Sequence, residues 1–124
     1  MRDLENCYDR TNLDDLKAAR VEDIDRRTQQ IIFDGFTYDN ETFSMSLTAQ
    51  INWSNLLNVP DEMWPLTVST KGNGTKQLAL NEKTPFYMTA LNHKNSAIQA
   101  GTVLKQQILN AADIDAVNAI VDNR

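Results

Sequence analysis

The chain has 124 residues, enough for one domain with a core that needs no staples. Hydrophobic residues make up 41% and charged residues 23%, which excludes wholesale disorder. Lys and Arg total 12 against 17 Asp and Glu, a net charge of -5 that argues against a nucleic-acid backbone as the main partner.

The first dozen residues are polar and weakly patterned. Asn12 or Asp14 then caps a helix running to about Phe33, a stretch free of Gly and Pro. Leu13, Leu16, Ile24, Ile31 and Ile32 recur at helical spacing, with Val21 beside them. This stripe is thin for some five turns, so the helix needs a partner surface. Asp34-Gly35 stops it, with Gly35 suited to a left-handed cap at positive φ. Phe36-Thr37-Tyr38 and Thr42-Phe43-Ser44 bracket Asp39-Asn40-Glu41 and read as a short β-hairpin. Ser46 starts a second helix carrying Leu47, Ile51, Trp53, Leu56 and Leu57, which Pro60 ends. Leu66–Thr70 and Lys76–Leu80 form a second hairpin around Lys71-Gly72-Asn73-Gly74-Thr75. Thr84 as cap and Pro85 in the first turn open the longest helix. Its stripe is Tyr87, Ala90, Ala97, Gly101, Leu104, Ile108 and Ala111, widened by Leu91 and Ile98, with Lys94 the one polar break. The small residues Ala97 and Gly101 point to a close neighbour. Asp113 caps a last short helix with Ile114, Val117, Ile120 and Val121 on one face. The expected fold is α+β: a long N-terminal helix, a small antiparallel sheet of two hairpins, and C-terminal helices.

No catalytic constellation emerges. Gly72-Asn73-Gly74 lacks the helix and Lys-Ser/Thr pair of a phosphate loop, and Ser44, Ser46 and Ser54 lack a nucleophile-elbow context. The single cysteine, Cys7, and single histidine, His93, provide neither an internal disulfide nor a Cys/His zinc cage. His93, mid-helix, is read as structural. Asp14-Asp15 and Asp23-Asp25 are read as a solvated helix face, with Arg26-Arg27 offering ion pairs to Asp23 or Glu22. No catalytic residue, metal or cofactor is therefore expected. Trp53 is read as core. Trp64, beside Pro65 in a loop, leaves core and interface anchor open and is carried as a partner-binding candidate. Met1–Asn6 is charged and lacks a signal-peptide apolar run, and no window approaches a membrane span. Synthesis in a reducing cytoplasm without membrane insertion is the expectation.

One string of residues goes further. Ile24-Asp25-Arg26-Arg27-Thr28-Gln29, Ile31-Ile32, Gly35-Phe36, Tyr38, Phe43-Ser44, Ser46, Ala49-Gln50 and Asn52-Trp53 resembles a domain of unknown function of the DUF4376 type, found in tail-fibre and tail-tip gene neighbourhoods of tailed bacteriophages. Trp64-Pro65, Phe86-Tyr87, Leu104-Lys105-Gln106-Gln107-Ile108 and Ala116-Val117 extend the likeness over roughly residues 20 to 124. Where that family often has Gly in its first hairpin turn, this chain has Asp39-Asn40-Glu41. The resemblance implies core roles for Phe36, Tyr38 and Phe43, and for Gln50 or Asn52 a hydrogen bond to a backbone edge. It supplies no catalytic residue.

The resemblance implies a non-enzymatic structural protein of a phage virion, in the tail, tail tip or fibre-attachment region. Such a protein is made in the bacterial host cytoplasm and joined in several copies to other virion proteins. The alternative is a tail-fibre assembly chaperone absent from the mature virion. A small hydrolase is disfavoured by the missing nucleophile and base. Residues 1–20 lie outside the likeness and are read as a docking arm on a domain of residues 21–124. Leu4, Tyr8, Leu13 and Leu16 keep near-helical spacing there and are the expected anchors on a partner chain.

Overall fold

The computed structural model describes Asp9 and residues 11–124. Helix α1 (Leu13–Asp34) leads into strands β1 (Phe36–Tyr38) and β2 (Glu41–Phe43), then helix α2 (Leu47–Leu56). Strands β3 (Leu66–Ser69) and β4 (Thr75–Leu78) follow, then helices α3 (Lys83–Leu109) and α4 (Ile114–Ala119), with 3-10 turns at Asp61–Met63 and Leu80–Glu82. The α+β class and the order of elements are those expected. The two hairpins do not merge into one sheet, because each ladder pairs only within its own hairpin. A single backbone bond from Lys71 N–H to the Thr42 carbonyl, 2.8 Å, links them. The chain divides into two compact units, one of residues 30–97 and one combining the residues up to 29 with 98–124.

In the unit of residues 30–97, α1 ends at Asp34 and Gly35 turns the chain at φ 99°, as a left-handed cap requires. Asp39 and Asn40 then adopt φ 51° and 62°, the two positive values of a type I′ hairpin turn, so no glycine is needed there. The register sets Phe36 opposite Phe43. Both rings are buried with Trp53 of α2 and Phe86 of α3. Phe86 is the hub: its centroid lies 5.0 Å from Phe43, 5.1 Å from Trp53, 5.2 Å from Tyr38 and 5.4 Å from Phe36. All four contacts are edge-to-face, the geometry the ring quadrupoles favour. Ile32, Met45, Ala49, Leu56, Val68, Leu78, Ala90 and Ala97 complete this core. His93 faces the end of α1, its Nε2 3.0 Å from the Ile31 carbonyl, which gives the lone histidine a structural hydrogen bond.

Two boundaries differ from the sequence reading. Helix α2 ends at Leu56, ahead of Pro60, where turn bonds from Asn58 N–H to the Asn55 carbonyl and from Val59 N–H to the Leu56 carbonyl take over. Helix α3 starts at Lys83, so Thr84 is its second residue and not its cap. The cause is Glu82, whose carboxylate accepts the Ala79 N–H at 2.9 Å and closes a 3-10 turn that runs directly into α3. Pro85 still falls in the first turn, where a missing donor is harmless.

In the other unit, Asn12 settles the cap of α1: its side-chain oxygen accepts the N–H groups of Asp14 at 3.0 Å and Asp15 at 3.2 Å. Leu16, Ile24, Ile108 and Val117 form the core, bordered by Leu13, Val21, Leu104, Ala111, Ile114 and Ile120. Val121 falls beyond the end of α4 and is exposed, so it leaves the face assigned to it. Lys105 pairs with Asp25 at 2.8 Å, and Arg26 with Asp23 at 3.1 Å. The second pair is exposed and contributes little.

Gly101 has the close neighbour its sequence position demands. A Cβ there would lie 2.5 Å from Thr28 Oγ1 and 3.3 Å from Arg124 Nη1. The Thr28 hydroxyl also accepts a 2.9 Å bond from Arg124 Nη1, so yielding breaks that bond. Gly101→Ala gains about 1 kcal/mol of helix propensity. It is nonetheless expected to lose about 1 to 3 kcal/mol net through overpacking. Urea melts of Gly101→Ala with and without Thr28→Ala check this: the second change should recover part of the loss.

The C-terminal segment is tied down by charge. Arg124 donates from Nη2 to Asp122 Oδ2 at 2.8 Å and from Nε to Asp122 Oδ1 at 2.9 Å, while the Arg124 carbonyl accepts from Arg27 Nη2 at 2.6 Å. The Arg124 side-chain bonds hold the Asp122 carboxyl below its ordinary range, with burial opposing them. A carboxyl depressed in the folded state stabilises above its unfolded pKa of about 3.9, and that contribution fades as pH falls through the lower folded value. Asp122→Asn should therefore lower stability more at about pH 7 than at about pH 3, as read from urea midpoints at both. An equal loss at the two values would reject the ion pair as the cause.

Candidate functional site

Helix α2 carries two apolar stripes. Ala49, Trp53 and Leu56, at steps of four and three, turn inward and are buried. Leu47 and Ile51, one turn apart, face outward and are 68% and 61% exposed. The sequence reading gave Leu47, Ile51, Leu56 and Leu57 near-helical spacing with Trp53 among them, and did not say which of them faces inward. Trp53 and Phe86 decide it, because the indole packs into the aromatic core and leaves the aliphatic pair at the surface.

Between this outer edge of α2 and the start of α3 lies a groove of about 400 Å³. Its α2 wall is Leu47, Gln50, Ile51, Trp53 and Ser54; Tyr87, Ala90, Leu91 and Lys94 of α3 form the other, and Met45 closes one end. Polar groups here are few and ordered. Gln50 Nε2 donates to the Met45 carbonyl at 2.9 Å, and Gln50 Oε1 accepts from Lys94 Nζ at 2.8 Å. Trp53 Nε1 donates to the Ser44 carbonyl at 2.8 Å, which fixes the indole in that wall. Ser46 caps α2 by accepting the Ala49 N–H at 3.2 Å, so the helix is held where the groove begins. The result is an apolar cleft with one cation among the described residues, a volume and lining suited to binding side chains.

A second ordered polar cluster surrounds the first hairpin. Tyr38 donates its hydroxyl to Glu82 Oε1 at 3.0 Å, and Lys76 pairs with Asp39 at 2.6 Å while its Nζ lies 5.9 Å from the Tyr38 ring centre. Burial, then the bond to Glu82, pushes the Tyr38 phenol above its ordinary range, and the hydrogen bond to Asp39 raises Lys76. Every group in it satisfies another, so its role is to lock the hairpin. Among the described residues, no group of three or more His, Cys, Asp and Glu side chains is placed to hold a metal, and no helix is long and apolar enough to cross a membrane.

A family model described as a domain of unknown function, DUF4376, matches residues 15–122. The chain belongs to the DUF4376 family. No curated protein and no solved structure matches it. The match starts inside the segment read as a docking arm and covers both hairpins, the groove and α4.

The DUF4376 fold distributes the sequence-derived partner residues unevenly. Leu4 and Tyr8 lie outside the described residues, as does Cys7. Leu13 and Leu16 sit in the first turn of α1, and Leu16 is only 4% exposed, packed with Ile24, Ile108 and Val117. Leu16 is thus part of this unit's core, where Ile108 and Val117 cover the thin stripe of α1. Trp64 is half-buried against the aromatic core, its Nε1 donating to the Val59 carbonyl at 3.3 Å and its ring 5.9 Å from Lys83 Nζ. Of the two polar residues implied for a backbone edge, Gln50 makes that bond and Asn52 is exposed. The groove itself went unread in the sequence. Its one available signal was Lys94, the polar break in the stripe of α3.

Proposed function

We propose that this DUF4376 protein is a non-enzymatic structural component of a tailed-phage virion, in the tail, tail tip or fibre-attachment region. It is made in the host cytoplasm and acts by protein–protein assembly in several copies. The observation that carries the assembly half is the α2–α3 groove, an open apolar cleft bordered by exposed Leu47 and Ile51. Apolar side chains held outward on a rigid, capped helix match the composition of interface cores. Gln50 ties Lys94 to the Met45 carbonyl, an arrangement that offers no paired nucleophile and base. The phage half rests on the likeness of the motif from Ile24 to Trp53 to proteins of tail-fibre and tail-tip neighbourhoods.

Mass spectrometry of purified particles from the phage or induced prophage that encodes the chain tests this reading. Peptides of the chain at fixed stoichiometry with tail proteins are expected. A chain abundant in the lysate but missing from the particles would overturn the structural role in favour of an assembly chaperone.

A further inference from the structure

Lys94 is a cation set in an apolar groove. Its Nζ donates to the neutral Gln50 Oε1 at 2.8 Å and pairs with no carboxylate among the described residues. An ammonium has three N–H donors, so the charge and two donors remain for an occupant. Beside it the apolar strip of Leu47 and Ile51 runs along the outer edge of α2. A groove that holds an apolar strip and a cation without a carboxylate partner fits a polypeptide carrying a bulky apolar side chain next to a carboxylate.

The chain's own sequence contains such a segment. Asp3-Leu4-Glu5 places a leucine between two carboxylates, and Tyr8 follows as an aromatic. Leu4 and Tyr8 are four residues apart, the spacing that puts two side chains on one helix face and that Leu47 and Ile51 repeat in the groove wall. Each copy carries a net charge of -5, so two copies repel at long range and their docking needs a local countercharge. Lys94 is that countercharge. We propose that the α2–α3 groove is the docking site for residues 3–8 of a second copy of this chain, with Leu4 in the cleft and Asp3 or Glu5 paired with Lys94. The proposal rests on the multi-copy assembly reading and names the surfaces that join the copies.

The test is calorimetric titration of a synthetic peptide of residues 1–10 into the Leu4→Asp protein, whose own segment cannot compete. Saturable binding at one peptide per chain is expected. Lys94→Gln, which keeps a donor for Gln50 but removes the charge, should weaken it about tenfold, while Lys94→Arg retains it. Ile51→Glu in the protein, or Leu4→Ser in the peptide, should abolish it. Ile51 is exposed, so that variant keeps the fold, as circular dichroism will verify. Light scattering of the full chain should show concentration-dependent association that Leu4→Asp and Ile51→Glu each remove. No saturable heat, binding indifferent to Lys94→Gln, or sodium octanoate filling the groove where the peptide does not would each overturn the proposal. A chain found in virions with a groove inert to the peptide rejects this inference alone. A groove that binds the peptide in a protein missing from virions rejects only the virion role.

Discussion

Phe86→Ala is expected to destabilise the protein by about 3 to 5 kcal/mol, the largest effect of any single truncation proposed. The ring is fully buried and touches Phe36, Tyr38, Phe43 and Trp53 edge-on at centroid distances of 5.0 to 5.4 Å. Truncation leaves a cavity that two hairpin strands, α2 and α3 border together, and rigid rings relax poorly into such a space. The thermal midpoint should fall by roughly 10 to 20 °C for a chain of this size. The neighbouring Tyr87→Ala provides the control. Tyr87 is half-buried on the groove wall and should cost on the order of 1 kcal/mol. A greater loss from Tyr87→Ala than from Phe86→Ala would show that the hub lies elsewhere.

Gly35→Ala should cost at least about 1 to 3 kcal/mol through backbone strain alone, because φ is 99° there. Steric collision adds to it. A Cβ at position 35 would run into the Phe43 carbonyl oxygen and lie 3.1 Å from the Phe43 carbonyl carbon, both backbone atoms of the paired strand. That strand cannot retreat without pulling Phe43 out of the aromatic core. Gly72→Ala is the matched control: nothing lies within 4 Å of a Cβ there. It should change stability by less than about 0.5 kcal/mol. Denaturant midpoints for the two variants decide the point, and similar losses at both would contradict the assignment.

Short-range signals in the sequence foretold the boundaries set by local chemistry. Asn12, Ser46 and Asp113 cap helices through their own side chains, and Gly35 stops α1 because few other residues adopt its backbone angle. Asp39-Asn40 turns a hairpin without glycine because both residues tolerate positive φ. These events are decided within a few residues, so a linear reading captures them.

The rotation of each helix about its axis was a different matter. Helix α3 offers Phe86 and Tyr87 at adjacent positions, about 100° apart, and periodicity alone accepts either as the first core residue. The stripe read from Tyr87 missed the hub, which only the rings of Phe36, Phe43 and Trp53 select. The same indeterminacy hid the groove. Leu47 and Ile51 keep perfect helical spacing, yet Ala49, Trp53 and Leu56 keep it too, and burying the indole turns the aliphatic pair outward. Leu16 shows the converse. Its stripe is too sparse to hold α1 alone and reads as a partner-binding edge until Ile108 and Val117, some 90 to 100 residues later, are seen to cover it.

The sequence by itself determined the class of fold, the order of its elements and the ends of most of them, since caps, turn residues and glycine angles act locally. Tertiary structure decided which face of each helix is buried, that the hairpins stay separate ladders, and that an apolar groove carries Lys94. Those outcomes depend on which distant side chains compete for the same volume, and close packing admits only one arrangement of them.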